Sequence, residues 1–195
     1  MNTKLGAFIN EQVGPELKKK GITETDIELV ATKGGVSAIG TIVDAIAKCV
    51  QLINNAFRIV TSGNRTTDEV IAAGNYDWKN DWVNGKNFSM RPMPEGPREI
   101  VFLEFDHDPG SEEVLAEAAR QGLERPRYED TLFFGEQHPE EQRNGPVVFF
   151  HKPWQGPDRG LSVLVLDCFG RDRGLSLSCF GRRWSQRCRF AFVRK

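Results

Sequence analysis

Ser162-Val-Leu-Val-Leu-Asp167, Arg173-Gly-Leu-Ser-Leu-Ser-Cys-Phe180 and Arg189-Phe-Ala-Phe-Val-Arg194 are the three stretches that decide the fold, with Trp184 between the last two. In each of them, apolar residues alternate with Ser, Asp, Gly or Arg. Alternation with a period of two residues is typical of a strand that buries one face and exposes the other. The sequence therefore predicts three strands whose solvent face carries small and chemically diverse side chains, which is typical of a recognition surface.

The residues before these strands predict a strand, two helices and a further strand. Residues 98–105 alternate in the manner of a strand, and Ser111 predicts the cap of a first helix. Residues 126–135 predict a second helix, and residues 147–150 predict another strand. This order, continued by the three C-terminal strands, is typical of an α+β fold.

Residues 1–60 predict an N-terminal helical subdomain. In its longest predicted helix, residues 36–58, apolar residues recur at steps of three and four, at Val36, Ile39, Val43, Ile46, Val50, Ile53 and Phe57. Such a seam of mostly β-branched side chains predicts a homo-oligomer through residues 36–57. The alternative is a monomer in which the helices of residues 4–31 cover the seam. Residues 61–97 predict a connector with one short helix, which begins at the capping box Thr66-Thr-Asp-Glu69.

The charge of the chain is balanced overall but uneven along its length. The net charge of −1 excludes nucleic-acid binding through overall charge. Residues 98–141 hold 13 acidic residues and four arginines, whereas residues 151–195 hold ten basic residues and three Asp. The basic segment predicts either internal charge balance or an anion-binding face. No apolar run is long enough for a membrane span and no secretory signal is present, so the sequence predicts a cytoplasmic protein, with surface display by another route left open.

Few residues form a pattern that is typical of a catalytic or metal site. The four cysteines are Cys49, Cys168, Cys179 and Cys188. They form no CxxC pair, and Cys179 and Cys188 are either a redox pair or small core residues. Asp106, His107 and Asp108 are adjacent and predict a turn. Residues 75–82 contain Asp and Asn that could bind calcium, but turns and packing are the alternative interpretation. The sequence predicts no metal and no cofactor.

Residues 97–195 resemble the variable proteins of diversity-generating retroelements, which carry a C-type-lectin-type domain at their C-terminus. The stretches that carry the resemblance are Ile100-Val-Phe-Leu-Glu-Phe-Asp-His-Asp108, Tyr128-Glu-Asp-Thr-Leu-Phe-Phe-Gly135, Pro146-Val-Val-Phe-Phe-His151, Arg173-Gly-Leu-Ser-Leu-Ser-Cys-Phe180, Trp184 and Arg189-Phe-Ala-Phe-Val-Arg-Lys195. The resemblance implies a C-type-lectin-type domain over residues 98–195 in which the last strand pairs with the first. The Glu-Pro-Asn and Trp-Asn-Asp motifs of calcium-dependent lectins are absent, which implies the fold without calcium-bound sugar.

The resemblance also implies a segment that the organism diversifies. Members of this family mutate the adenines of Asn codons, and such codons cannot yield Glu, Lys, Gln, Met or Trp. Residues 157–194 contain no Glu, Lys or Met, and their exceptions, Trp184 and Gln186, would be fixed positions.

These observations predict a non-enzymatic ligand-binding protein whose ligand is unknown and is expected to be a protein. The predicted ligand-binding residues are Asp167, Cys168, Phe169, Arg171, Asp172, Gly174, Ser176, Ser178, Arg182, Arg183, Ser185 and Arg187. A fixed apolar framework is predicted to hold them, formed by Leu164, Leu166, Leu175, Leu177, Phe180 and Trp184. Two alternatives remain. One is an anion or nucleic-acid binder through the basic face; the other is an oxidase of the formylglycine-generating type, a related fold that uses a cysteine pair.

Overall fold

The computed structural model describes residues 56–61, 64–92 and 96–194, which belong to one compact unit, Ile53–Lys195. The predicted helices of residues 4–31 and nearly all of the predicted seam at residues 36–57 lie outside the described residues. In the part of the chain that is described, no helix is long and apolar enough to cross a membrane.

The unit combines three α-helices with an eight-stranded sheet. The elements in chain order are β1 Ala56–Val60, α1 Thr67–Ala73, β2 Trp78–Lys79, β3 Pro97–Leu103, α2 Ser111–Arg120, α3 Tyr128–Gln137, a 3₁₀ helix Glu141–Asn144, β4 Val147–Phe149, β5 Trp154–Gln155, β6 Leu161–Phe169, β7 Asp172–Cys179 and β8 Arg189–Val193. The strand order is β1-β3-β8-β4-β6-β7-β2, and β5 pairs with β6. The predicted mixture of helices with a largely antiparallel sheet is confirmed.

The last strand lies in the middle of the sheet. Strand β8 pairs with β3 in antiparallel orientation, so that Leu103 faces Phe190, and with β4 in parallel orientation, so that Val147 faces Arg189. The pairing of the last strand with β3, the first strand of the predicted 98–195 domain, is therefore present. Because β4 also pairs with β6, with Val147 opposite Leu166, the start of β8 and the end of β6 lie at the same end of the sheet.

The prediction that one face of the C-terminal strands is open to solvent is wrong for most of their length. Residues 163–166 of β6 and 173–176 of β7 are buried without interruption. Helices α1 and α3 pack with Leu164 and Leu166 on one side of the sheet, whereas α2 packs with Val163 and Val165 on the other. A sheet that is covered on both faces buries both sets of alternating side chains, so only the ends of these strands and their loops can meet a ligand.

Residues 56–60 do not extend the predicted N-terminal helix, because they form strand β1 and pair with β3. The side chain of Phe57 lies in the core, with its ring 4.8 Å from that of Phe102 and 5.5 Å from that of Phe134. Phe57 therefore cannot belong to an oligomer seam, and the boundary predicted at residue 60 is too late.

Residues 61–97 are not a separate connector. The capping box that was predicted at Thr66 and Glu69 is confirmed, and it starts α1. Val83 and Phe88 are buried in the same core as α3, and β2 adds to the sheet beside β7. This segment is therefore part of the domain, and its strand β2 borders the β6–β7 hairpin.

Candidate ligand-binding surface

The β6–β7 hairpin ends in a two-residue turn, Gly170–Arg171. Gly170 has a φ of 64°, a conformation that favours glycine and is expected at the first central position of a type II′ hairpin turn. Around this turn Arg171 and Asp172 are exposed, and the side chain of Phe169 is 83% exposed. A large apolar side chain with this exposure at a loop tip is available to a partner.

Arg173 holds the base of the hairpin from inside the protein. Its guanidinium donates hydrogen bonds to the carbonyl oxygens of Gly74 at 2.9 Å and Gly135 at 3.0 Å, and to Oε1 of Gln142 at 3.2 Å. Gly74 caps the C-terminus of α1 and Gly135 lies in the last turn of α3. The C-terminal ends of helices carry partial negative charge, so these two helices stabilise a buried cation that forms no ion pair with another described residue.

The 3₁₀ helix and the segment before β2 fasten the hairpin from two sides. Nε2 of Gln142 donates to the carbonyl oxygens of Asp167 and Gly174, which face each other across the hairpin. On the other side, the backbone N–H of Arg173 donates to Oδ2 of Asp77 at 2.7 Å. The backbone that presents the exposed turn is therefore fixed by contacts that do not depend on the turn's own side chains.

Two predicted ligand-binding residues, Gly174 and Ser176, are buried and present no side chain to solvent. A Cβ atom at Gly174 would lie 2.2 Å from the indole of Trp78 and 2.6 Å from Oδ1 of Asp167, so this position has room only for glycine. The hydroxyl of Ser176 donates to Oδ2 of Asp167 at 3.0 Å. The prediction that both are display positions is corrected: they support Asp167 and Trp78.

Asp167 is half-buried at the point where the hairpin leaves the sheet. Burial raises the pKa of its carboxyl group, and the hydrogen bond from Ser176 opposes that rise. Its Oδ1 atom is buried and has no hydrogen-bond partner among the described residues. Among the described residues, Asp167 therefore has a hydrogen-bond partner for only one of its two carboxylate oxygens.

The loop of residues 180–187 is the second part of the predicted surface. It is anchored by Trp184, whose indole N–H donates to Oγ of Ser111 at 2.9 Å, while its backbone N–H donates to the carbonyl oxygen of Pro109. Ser111 is the first residue of α2 and not its cap, because its hydroxyl bonds instead to the carbonyl oxygen of Phe180. Arg182, Arg183, Ser185 and Arg187 are exposed around the buried indole.

Residues 106–108 lie beside this loop. Nδ1 of His107 lies 2.9 Å from Oδ1 of Asp106, and its Nε2 lies 2.8 Å from Oε1 of Glu113. These two hydrogen bonds raise the pKa of His107, and the one with Asp106 has the larger effect. Oδ1 of Asp108 accepts a hydrogen bond from the backbone N–H of Gln186 at 2.8 Å. In the described residues no group of three or more His, Cys, Asp or Glu could hold a metal ion.

Four exposed arginines lie on the hairpin turn and on the loop of residues 180–187, close in sequence or in space to the acidic residues Asp172 and Asp108. The guanidinium groups of Arg171, Arg182, Arg183 and Arg187 are exposed and form no ion pair with another described residue. Arg187 also lines a cavity of about 560 Å³ that opens between Glu104 and Pro146. Because Arg189 pairs with Val147 and Val147 with Leu166, this cavity and the hairpin turn lie at the same end of the sheet.

The twelve predicted residues thus fall into three groups. Seven are exposed, namely Phe169, Arg171, Asp172, Arg182, Arg183, Ser185 and Arg187. Three are half-buried, namely Asp167, Cys168 and Ser178, and two are buried, namely Gly174 and Ser176. The structure brings the hairpin turn and Arg187 to one end of the sheet. Ser178 lies opposite Val163, towards the other end of the hairpin. Arg183 forms a bridge with Gly110, the residue before α2.

Two of the three cysteines in the described residues lie at opposite ends of the β6–β7 hairpin. Cys168, Cys179 and Cys188 are free thiols. Cys168 faces Arg173 near the hairpin turn, whereas Cys179 faces Ser162 at the other end of the hairpin, so these two thiols are not adjacent. Cys188 is buried, and burial raises the pKa of its thiol, which disfavours the reactive thiolate.

Comparisons of the chain with known protein families, with curated proteins and with solved structures give no match. The described residues define a mixed α/β protein with exposed arginines on the β6–β7 hairpin turn and on the loop of residues 180–187.

Proposed function

We propose that this protein is a non-enzymatic ligand-binding protein that presents a diversified surface, as do the variable proteins of diversity-generating retroelements that its C-terminal half resembles. The observation that carries the proposal is that seven of the twelve candidate side chains are exposed. The backbone beneath them is held by buried groups of other residues, Arg173, Gln142 and Trp184. Exposed side chains on a fixed backbone can change identity with little effect on stability.

The exposed chemistry favours a protein as the ligand. Phe169 offers an apolar contact, and Arg171 and Asp172 offer charged contacts in the adjoining turn. Aromatic residues and arginine are enriched at the centres of protein interfaces. The pairing of β8 with β3, the first strand of the segment that resembles the family, agrees with the pairing that the resemblance implies.

Sequencing the gene in a culture grown from a single cell tests the proposed diversification. We expect substitutions concentrated in the codons of residues 157–194, at adenines of a near-identical template beside a reverse-transcriptase gene. The codons of residues 97–134 serve as the control segment and are expected to stay constant. Equal variation in both segments, or the absence of a template copy, would contradict the proposal.

Randomising the seven exposed positions tests the scaffold itself. We expect most variants to unfold cooperatively with a Tm within about 4 °C of the parent, since exposed substitutions change stability little. The control library randomises buried framework positions, namely Leu164, Leu166, Leu175 and Trp184, and is expected to lose folded protein. Similar losses in the two libraries would count against a display surface.

A second candidate function is anion or nucleic-acid binding, which the four unpaired arginines favour. Fluorescence anisotropy with a single-stranded oligonucleotide measures it, and affinity is expected to fall as salt rises because counterions are released on binding. Arg182→Gln with Arg183→Gln should reduce the salt slope, whereas Lys86→Gln, an exposed change far from this loop in sequence, should not. Absence of binding at low salt would eliminate this candidate.

A further inference from the structure

A second cavity, of about 240 Å³, opens beside β5 and the start of α3. Phe88 and His151 are buried beneath it, and Tyr128 and Trp154 form its walls. The ring centroids of Phe88 and Tyr128 are 5.3 Å apart, and those of Phe88 and Trp154 are 5.5 Å apart. The aromatic rings therefore pack against one another and give the cavity a preformed apolar lining.

Trp82 does not line the cavity but packs beside Trp154, which does. Its side chain is 50% exposed, and its ring centroid lies 6.1 Å from that of Trp154. Two neighbouring indoles at the mouth of a cavity offer flat faces on which a planar ring can stack.

The cavity is also lined by cations and by no carboxylate. Arg91, Arg127 and Lys152 line it, and its lining contains no Asp or Glu. Arg91 is fixed by three hydrogen bonds to Glu129, two from its guanidinium at 2.6 and 2.7 Å and one from its backbone N–H at 3.1 Å. Its guanidinium lies 4.2 Å from the ring centroid of Tyr128. Arg127 and Lys152 are exposed and form no ion pair with another described residue. Nη1 of Arg127 donates to the carbonyl oxygen of Pro92 at 3.1 Å, so its remaining donors and the ammonium of Lys152 are available to an anion.

His151 contributes a neutral ring to the lining. Its Nε2 accepts a hydrogen bond from the backbone N–H of Leu164 at 2.9 Å, and its Nδ1–H donates to the carbonyl oxygen of Lys152 at 2.7 Å. Both ring nitrogens are thus occupied by the backbone, which fixes the tautomer and the orientation of the ring.

We propose that this cavity is a binding site, separate from the hairpin surface, for a small anion that carries a planar ring, such as a nucleoside monophosphate or an aryl phosphate. The aromatic walls would stack on the ring, and Arg127 and Lys152 would bind the anionic group. The volume is below the usual range for a pocket that encloses a whole ligand, so we expect only the planar ring to enter the cavity and the anionic group to lie at its exposed rim, beside Arg127 and Lys152. Trp154 pairs with Ser162, seven residues before Phe169 along β6, which places the cavity roughly 23 Å from the hairpin turn.

Titration of the full chain with four probes tests the site: adenosine monophosphate, phenyl phosphate, adenosine and inorganic phosphate. We expect saturable binding of at least one of the two ring-bearing phosphates with a Kd below about 1 mM, and binding at least ~10-fold weaker for adenosine and for phosphate alone. Binding of the nucleotide alone identifies a nucleotide site, and equal binding of phenyl phosphate identifies an aryl phosphate site. The indole N–H signals of Trp82 and Trp154 should shift in NMR spectra, while that of the buried Trp184 should not.

Charge reversal at the rim provides the matched comparison. Lys152→Glu and Arg127→Glu change exposed side chains and should weaken binding about tenfold or more, whereas Arg58→Glu, on edge strand β1, should leave it unchanged. The Trp184 signal reports whether each variant is folded. The proposal is overturned if neither ring-bearing phosphate binds, if adenosine binds as tightly as its monophosphate, or if the three variants behave alike.

Discussion

The guanidinium of Arg173 lies between the C-terminal ends of α1 and α3, where backbone carbonyl oxygens take the place of a carboxylate partner. Lysine at this position keeps the charge but loses the planar fork of donors, so several buried acceptors would lose their hydrogen bonds. We expect Arg173→Lys to lower the free energy of unfolding by about 2–4 kcal/mol in urea denaturation. Arg171→Lys, an exposed change two residues away, should alter it by less than about 0.5 kcal/mol. Equal changes in the free energy of unfolding for the two variants would show that the hydrogen bonds of the buried Arg173 guanidinium do not stabilise the fold.

His151 makes stability depend on pH. Burial is the main reason that the pKa of His151 is lowered, to about 4. The ordinary pKa of His is near 6.5. Between about pH 4 and 6.5 the unfolded chain therefore binds a proton at this residue that the folded protein does not. The free energy of unfolding should therefore fall as pH decreases through this window, by up to about 3 kcal/mol, and this contribution should be constant below it. In an NMR titration the imidazole of His151 should remain neutral down to about pH 5. The exposed His107, whose pKa is raised, should instead titrate with a midpoint above ~6.5. A His151 signal that titrates with a midpoint near 6.5 would contradict this interpretation.

The β6–β7 hairpin depends on close contact between Trp78 and the backbone of Gly174. An alanine methyl would collide with the indole, and we expect Gly174→Ala to lower the free energy of unfolding by roughly 1–3 kcal/mol. In a Trp78→Ala background the same change should cost clearly less, because the obstructing ring is gone, and a double-mutant cycle measures this coupling. Cys179→Ala, an exposed change on the same strand, is the control and should be nearly neutral. An equal cost in both backgrounds would place the strain elsewhere, for example at Asp167.

Elements with a clear local pattern could be predicted from the sequence, and those defined by distant contacts could not. Strands β6, β7 and β8 and the capping box of α1 were predicted from patterns among neighbouring residues, and the structure confirms these elements. Strand β1 was missed because Phe57 continues the steps of three and four, although the exposed side chains of Arg58 and Val60 on either side of buried Ile59 show the competing period of two.

Part of the candidate surface was predictable for the same reason. The exposed positions could be identified because they lie in the turn and the loop between apolar stretches, whereas the anchors beneath them could not. Arg173 bonds to Gly74 across 99 residues and to Gly135 across 38, and no local pattern in the sequence indicates such partners. The burial of Gly174 likewise depends on Trp78, which reaches β7 only through the parallel pairing of β2.

At the scale of the whole molecule, assembly through the N-terminal residues stays a prediction. The compact unit begins at Ile53 and Phe57 belongs to its core, so the seam available for self-association is reduced to Val36, Ile39, Val43, Ile46 and Val50. Burial of these side chains between chains would stabilise an oligomer by roughly 1.5–3 kcal/mol each before entropic costs. Several copies would increase weak single-site binding by avidity.

Sedimentation equilibrium separates this assembly from a monomer whose seam is covered internally. The full chain is expected at a multiple of 22.0 kDa, and a chain beginning at Ile53, checked for folding by circular dichroism, is expected as a monomer. Because a charge within an apolar seam must lose its hydration on burial, Ile46→Asp in the full chain should also give a monomer, whereas Lys48→Asp, outside the seam, should not. A full chain that sediments as a monomer at concentrations of tens of micromolar would exclude self-association through residues 36–50 under those conditions. Binding by the hairpin surface would then have to rely on a single site per molecule.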